Sequence, residues 1–172
     1  MSRDRTVATG HHDLLAVYLN DHLAGATAGL ARFRRTTRAL RGTPTAAVLA
    51  TMSREVADDR ASLRSLLADL QVRPRHRLLL AARVGEALGA LKPNGRLVRP
   101  SPLRPLVELE GLLLGVRGKA AGWRTLRELA AAEPRLPVER LDGLIARADR
   151  QAETLEELHR EAAREVFTGA RP

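Results

Sequence analysis

Four stretches of the chain carry apolar residues at alternating steps of three and four, the spacing of a single helix face. The first spans Asp13 to Arg41, aligns Leu15, Leu19, His22, Ala26, Leu30 and Phe33, and stops at Gly42. Thr43 and Pro44 then give a capping hydroxyl followed by a proline suited to a first turn. They open a second helix that runs to about Gln71 and aligns Leu49, Met52, Val56, Asp59, Leu63, Leu66 and Leu70. A third, Pro102 to Ala131 with Ser101 as its cap, aligns Leu106, Leu109, Leu113, Val116, Ala120 and Trp123 with no ionisable residue between them. The fourth, Val138 to Phe167, aligns Leu141, Ile145, Ala148, Ala152, Leu155, His159, Ala162 and Val166. Three of the four seams are therefore broken once by an ionisable side chain: His22, Asp59 and His159.

The connections decide how these helices are joined. Gly42 to Pro44 is so short that the first two helices must be antiparallel neighbours, and the loop Glu133 to Pro137 pairs the last two in the same way. Residues 72–101 are far longer than a hairpin needs. Pro74 opens a short helix there from about Arg75 to Leu91, which the turn Lys92-Pro93-Asn94-Gly95 closes. This segment reads as a crossover that returns along the bundle. The expected architecture is all-α: a four-helix bundle with a short helix in the long crossover between the second and third long helices. It forms a single domain over residues 11–167, flanked by a disordered tail at 1–10 and a second tail at 168–172.

Composition narrows the function classes. Hydrophobic residues make up 44% of the chain but aromatics only 2%, so the core is built from Leu, Ala and Val, and a sheet is disfavoured. With no Cys, disulfide and thiolate chemistry are excluded. The polar first ten residues and the frequent charges give neither a signal peptide nor a membrane span, so a cytoplasmic protein with no membrane association is expected. The net charge of +9 is concentrated in the crossover, where Arg73, Arg75, Arg77, Arg83, Lys92, Arg96, Arg99 and Arg104 face a single acid, Glu86. A solvated arginine-rich face is the preferred account. The competing one, nucleic-acid binding through Arg73, Arg75, Arg77, Arg83, Lys92, Arg96 and Arg99, would be nonspecific and salt-dependent, since no aromatic stands among them for stacking.

The acids and histidines suggest a second chemistry. In bundles of this kind a dimetal centre takes a carboxylate from each of two helices and a Glu-x-x-His pair from each of the other two, because one turn aligns Glu and His on one metal. Glu156-Glu157-Leu158-His159 is one such pair, while Glu55-Val56-Ala57-Asp58-Asp59 carries an acid where the His belongs. Asp21 and His22 are the first helix's contribution; Glu108 and Glu110 of the third fall off its seam. At about 1.5 Å per residue, His22 and Asp59 share a level and His159 lies roughly 10 Å or more away. The favoured reading of Asp59 is thus a buried acid paired with His22 or a neighbouring Arg, since an uncompensated buried charge is costly. A local metal on His22, Glu55 and Asp59 is the alternative, and His159 reads as a flank residue. For nucleophilic catalysis there is no Cys, the Ser and Thr residues fall at caps or exposed helix positions, and no phosphate loop follows a strand. Gly111, Gly115, Gly118 and Gly122 each cost the third helix near ~1 kcal/mol relative to Ala, which close backbone contact or a bend would offset.

The helix order and the words LNDHLAGATAGLARFRR, SREVADDRASLRSLLADL, PLVELEGLLLGVRGKAAGW and RQAETLEELHREA resemble an uncharacterised bacterial branch of the ferritin-like superfamily over nearly the whole chain. The resemblance implies a ferritin-like bundle and, as ligands for iron or manganese, Glu156 and His159 with half a second motif in Glu55 and Asp58. The departures at the first and third helices speak against ferroxidase or oxygenase activity. The expectation is a non-catalytic structural or interaction module without a cofactor that self-associates as a dimer. A divergent iron- or manganese-handling protein using His22, Glu55, Asp58, Asp59, Glu156 and His159 ranks second, and the nucleic-acid reading third.

Overall fold

A computed structural model describes residues 2–75 and 101–169, with side chains over 12–75 and 101–169. Four long helices account for almost all of them: α1 (Ser2–Ala39), α2 (Pro44–Asp69), α3 (Arg104–Leu129) and α4 (Val138–Thr168). No strand occurs among the described residues. None of the helices there is long and apolar enough to cross a membrane.

The helix boundaries follow local chemistry. Thr43 caps α2 as expected, its hydroxyl accepting from the Ala46 amide at 3.2 Å, and Gly42 makes the preceding turn at φ +90°. At the far end of α2, Gln71 takes φ +60°. There Val72 donates to the Leu67 carbonyl at 2.8 Å and Gln71 to that of Ala68 at 2.9 Å, so the last carbonyls are satisfied by a left-handed turn without glycine. Ser101 holds the turn before α3 by accepting from the Leu103 amide at 3.3 Å. Arg135 grips Glu133 in the α3–α4 turn through its guanidinium at 2.8 and 2.6 Å and holds that carboxyl down to about 2. Gly169 ends α4 at φ +69°. Two helix starts differ from expectation: the third begins at Arg104 with Leu103, not Ser101, at the cap and no side-chain cap hydrogen bond, and residues 2–10, expected as a tail, continue α1 as helical backbone. An apolar pattern marks where a helix begins to be buried, and backbone hydrogen bonding extends beyond it.

Cross-helix contacts fix the directions. His22 faces Gly122 and Arg32 faces Gly111, so α1 and α3 are antiparallel. Gln151 with Glu55 and Arg140 with Ser65 make α2 and α4 antiparallel too. Backbones pack as α1 with α2, α3 with α4, α1 with α3 and, most lightly, α2 with α4; α2 and α3 lie across a diagonal and run in the same direction. Hence α2 ends at the opposite end of the bundle from the start of α3, the up-down-down-up order that a crossover connection requires. Of the short helix expected from about Arg75 to Leu91, Arg75 is not helical and residues 76–91 lie outside the described residues.

The interior is not one continuous core. One apolar cluster gathers Leu19, Leu23, Leu63, Leu66, Leu67, Trp123, Leu126, Leu141 and Leu144. A second gathers Leu30, Phe33, Leu49, Met52, Val56, Leu109, Leu112, Val116 and Leu155. Between them, at the waist of the bundle, lies a polar layer.

Candidate functional site: a buried ion network beside an open cavity

All four helices send polar residues into the waist, centred on Thr27 from α1, Asp59 from α2, Lys119 from α3 and Gln151 from α4. Each stands at helical spacing from apolar neighbours. On α3 the inward series is Leu112, Val116, Lys119, Trp123 and Leu126, all buried except the half-buried Lys119; on α4 the buried series is Leu141, Leu144, Ala148, Gln151 and Leu155.

Asp59 is 1% exposed. Lys119 donates to its Oδ2 and also to Oε1 of Gln151. Gln151 in turn donates through Nε2 to Glu55 at 2.7 Å. Arg147 brings its Nε to 2.9 Å from the other Asp59 oxygen, but out of hydrogen-bonding line, so that this ion contact leaves both atoms without a hydrogen bond. Two cations thus face two acids, with Gln151 passing hydrogen bonds between Lys119 and Glu55. Burial pushes the Lys119 ammonium below its ordinary value, and the Asp59 carboxylate opposes that push. On the other side Arg60 donates to the Thr27 hydroxyl at 2.9 Å.

The residues expected from the sequence are divided by this arrangement. Asp59 is a buried acid paired with an arginine, as expected, but its strongest partner is Lys119 and not His22. His22 is half-buried, its ring laid against Gly122 and tilted on Tyr18 at 4.4 Å between centroids, and burial pushes its pKa down. Glu55 joins the network, whereas Asp58 is exposed. Glu156 pairs with Arg117, and His159 lies 3.2 Å from Glu110. That places His159 at the level of Glu110 and His22 at the level of Gly122, about 18 Å apart along α3. Among the described residues, no three His, Asp or Glu side chains approach closely enough to share a metal ion. Of the basic crossover, Arg73 and Arg75 are exposed; Arg77, Arg83, Lys92, Arg96 and Arg99 lie outside the described residues.

Compared with protein families, curated proteins and solved structures, the chain matches none. Its own geometry therefore carries the functional argument.

Lys119, Arg147 and Gln151 were not singled out from the sequence. The signal was present for two of them. A seam drawn through Leu113 leaves Lys119 off it, and a seam drawn through Ile145 and Ala152 does the same to Gln151. The structure buries Leu112, Leu144 and Gln151 in their stead and leaves Leu113, Ile145 and Ala152 half-buried. The third helix, expected to carry no ionisable residue on its seam, thus does carry one, and Lys119 answers Asp59 on the second.

Beside the network, where the two hairpins meet along α1 and α3, a cavity of about 520 Å³ opens to the surface. Gly25 and Gly29 on α1 and Gly115 and Gly118 on α3 line it, and a Cβ added at any of them would meet nothing within 4 Å. The two other glycines of α3 serve close contact: an added Cβ would lie 2.1 Å from the Arg32 guanidinium at Gly111 and 2.8 Å from the His22 ring at Gly122. Arg32 is held over Gly111 by Glu108 at 3.0 Å, and Arg35 and Thr36 bind the same carboxylate. The charge lost from the α3 seam at Glu108 is thereby neutralised by α1.

Proposed function

We propose that this chain is a non-catalytic structural and interaction module: a ferritin-like bundle in which a lysine ammonium stands where a metal ion would otherwise gather the acids. The observation that carries this reading is the set of partners around Asp59. It is the one acid buried at the waist among the described residues, and Lys119 and Arg147 already neutralise it. Every other acid at a metal-ligand position of the resemblance has either a partner of its own, as Glu55 and Glu156 do, or a place in solvent, as Asp58 does. The donor set does not fit a dimetal centre, because ligands from four helices must converge at one level and these are spread along the bundle. The parallel course of α2 and α3 supports the ferritin-like connectivity, and the exposed stripe of Leu103, Val107 and Leu114 on α3 supports self-association.

Elemental analysis of untagged protein after incubation with iron(II), manganese(II) and zinc(II) tests the reading. Metal below about a tenth of an equivalent is expected, and a stoichiometric content that survives dialysis would overturn it. Light scattering is expected to show a dimer; a monomer at all concentrations would remove the self-association.

A further inference from the structure

α3 carries a second seam, on the side it turns away from the core. Val107, Leu114, Gly118, Ala121, Thr125 and Leu129 recur along it at the steps of one helix face, and no ionisable residue falls among them in a chain of which 28% is charged. A helix face that serves only solvent carries charge. Here Val107 is 40%, Leu114 72% and Leu129 37% exposed, and beside them on α1 Leu14 and Val17 are exposed as well. Gly115 and Gly118 on α3 and Gly25 on α1 weaken their helices relative to alanine, although nothing in the chain lies where an added Cβ would go. A backbone approaching from outside would use that smallness.

The order of residues along the seam and the charges beside it say what that backbone is. Val107 and Leu129 stand equally far from Gly118 in the two directions, and Leu114 and Gly122 equally far within them. Two copies of this helix run antiparallel about a two-fold axis at Gly118 would set Leu114 against glycine and Val107 against leucine twice over, the self-complementarity that an isologous interface requires. The same axis suits α1. His22 lies against Gly122 and Arg32 against Gly111, so Gly25 is about level with Gly118. Asp21 and Arg32 lie on opposite sides of Gly25, and side chains lean towards the amino end of their helix, so the rotation brings each Asp21 to the partner's Arg32. Asp21 is exposed and has no ion pair among the described residues, and the Arg32 side chain keeps 26% of its surface open while it holds Glu108.

Resting on the self-association proposed above, we infer that the α1–α3 face is where two copies of this chain meet, face to face and antiparallel, about a two-fold axis that passes over Gly118 and Gly25. Leu114 of each copy is set over the glycine-lined groove of the other, and the apolar floor of the cavity, Phe33, Val56, Leu112 and Val116, is covered. From Val107 to Leu129 the seam runs about 33 Å, and two helices side by side are about 20 Å wide. The face therefore offers roughly 700 Å² per copy, close to the roughly 800 Å² that a stable interface takes from each partner.

The full chain has no cysteine, so single introduced thiols report the register without background. Under copper-catalysed air oxidation Gly118→Cys, whose Cβ meets no atom of its own chain, is expected to join to itself as a covalent dimer, whereas Ala146→Cys on the exposed side of α4 is not. Val107→Cys and Leu129→Cys are expected to cross-link when the two variants are mixed and to stay largely unlinked when each is alone, because the antiparallel register keeps like positions far apart. Leu114→Asp is expected to raise the dimer dissociation constant more than about tenfold in sedimentation equilibrium, with the helical circular dichroism retained. A dimer in which Gly118→Cys does not link, in which Val107→Cys links to itself as readily as to Leu129→Cys, or which Leu114→Asp leaves intact would overturn the inference. Each of those results leaves self-association standing through another face, whereas a chain that is monomeric at all concentrations removes both.

Discussion

Lys119 on α3 donates to Asp59 on α2 across the diagonal of the bundle, joining two helices whose backbones do not pack against each other. The pair ties one hairpin to the other between two apolar clusters, and it does so with little water: Asp59 has 2% and Lys119 14% of its side chain exposed. Removing one partner of a buried pair strands the other, so Lys119→Met is expected to lower the unfolding free energy by about 3 kcal/mol. By contrast Arg117→Met, whose partner Glu156 is 41% exposed, is expected to change it by about 0.5 kcal/mol or less. Urea denaturation of both variants checks the contrast.

The glycines of α3 divide into two kinds, and alanine substitution distinguishes them. Gly115→Ala and Gly118→Ala place a methyl in open space and gain helix propensity, so each is expected to stabilise by up to about 1 kcal/mol. Gly122→Ala drives a Cβ to 2.8 Å from the His22 ring, which must shift off the α1–α3 contact; a net loss of stability is expected. Thermal unfolding followed by circular dichroism gives the order directly.

His22 makes stability depend on pH. Its folded pKa lies below that of the unfolded chain because burial disfavours the imidazolium, with Asp21 opposing. The unfolded state therefore binds the proton more readily, and the contribution of the neutral ring, fully present above about pH 6.5, is lost as pH falls through the folded value. A decline in unfolding free energy on acidification below about pH 6.5 is expected, and it should flatten in His22→Gln.

Gln71 holds a left-handed conformation that its side chain does not favour, at φ +60°. The hydrogen bonds from Val72 and Gln71 to the end of α2 require that conformation. Gln71→Gly keeps them without the steric cost and is expected to stabilise by about 1 kcal/mol, measured as a rise in the urea midpoint at unchanged slope.

Much of the fold was legible in the hydrophobic pattern. Every residue of the α2 seam, from Leu49 to Leu70, is buried, and the Thr43-Pro44 start and the short Gly42 turn are where the residues placed them. What failed to show were contacts between helices. A periodic seam is ambiguous by one residue when apolar side chains are adjacent, as at Leu112-Leu113 and Leu144-Ile145, and that ambiguity hid Lys119 and Gln151. The pairing of Asp59 with Lys119, 60 residues away, depends on the angle at which each helix is turned, which packing sets and no local spacing encodes. Likewise His22, expected at the level of Asp59, lies about one helical turn from it, against Gly122, while Asp59 meets Lys119. The His159 level was readable because it follows from helix rise alone.

A double-mutant cycle between Asp59→Leu and Lys119→Met, read by equilibrium urea unfolding, tests the buried network most directly. The account predicts that the two losses do not add: the double variant, with both charges gone and Arg147 free to reach solvent, should recover about 2 kcal/mol relative to the sum of the singles. Additivity within about 0.3 kcal/mol would mean that the two side chains do not support one another, and would contradict it.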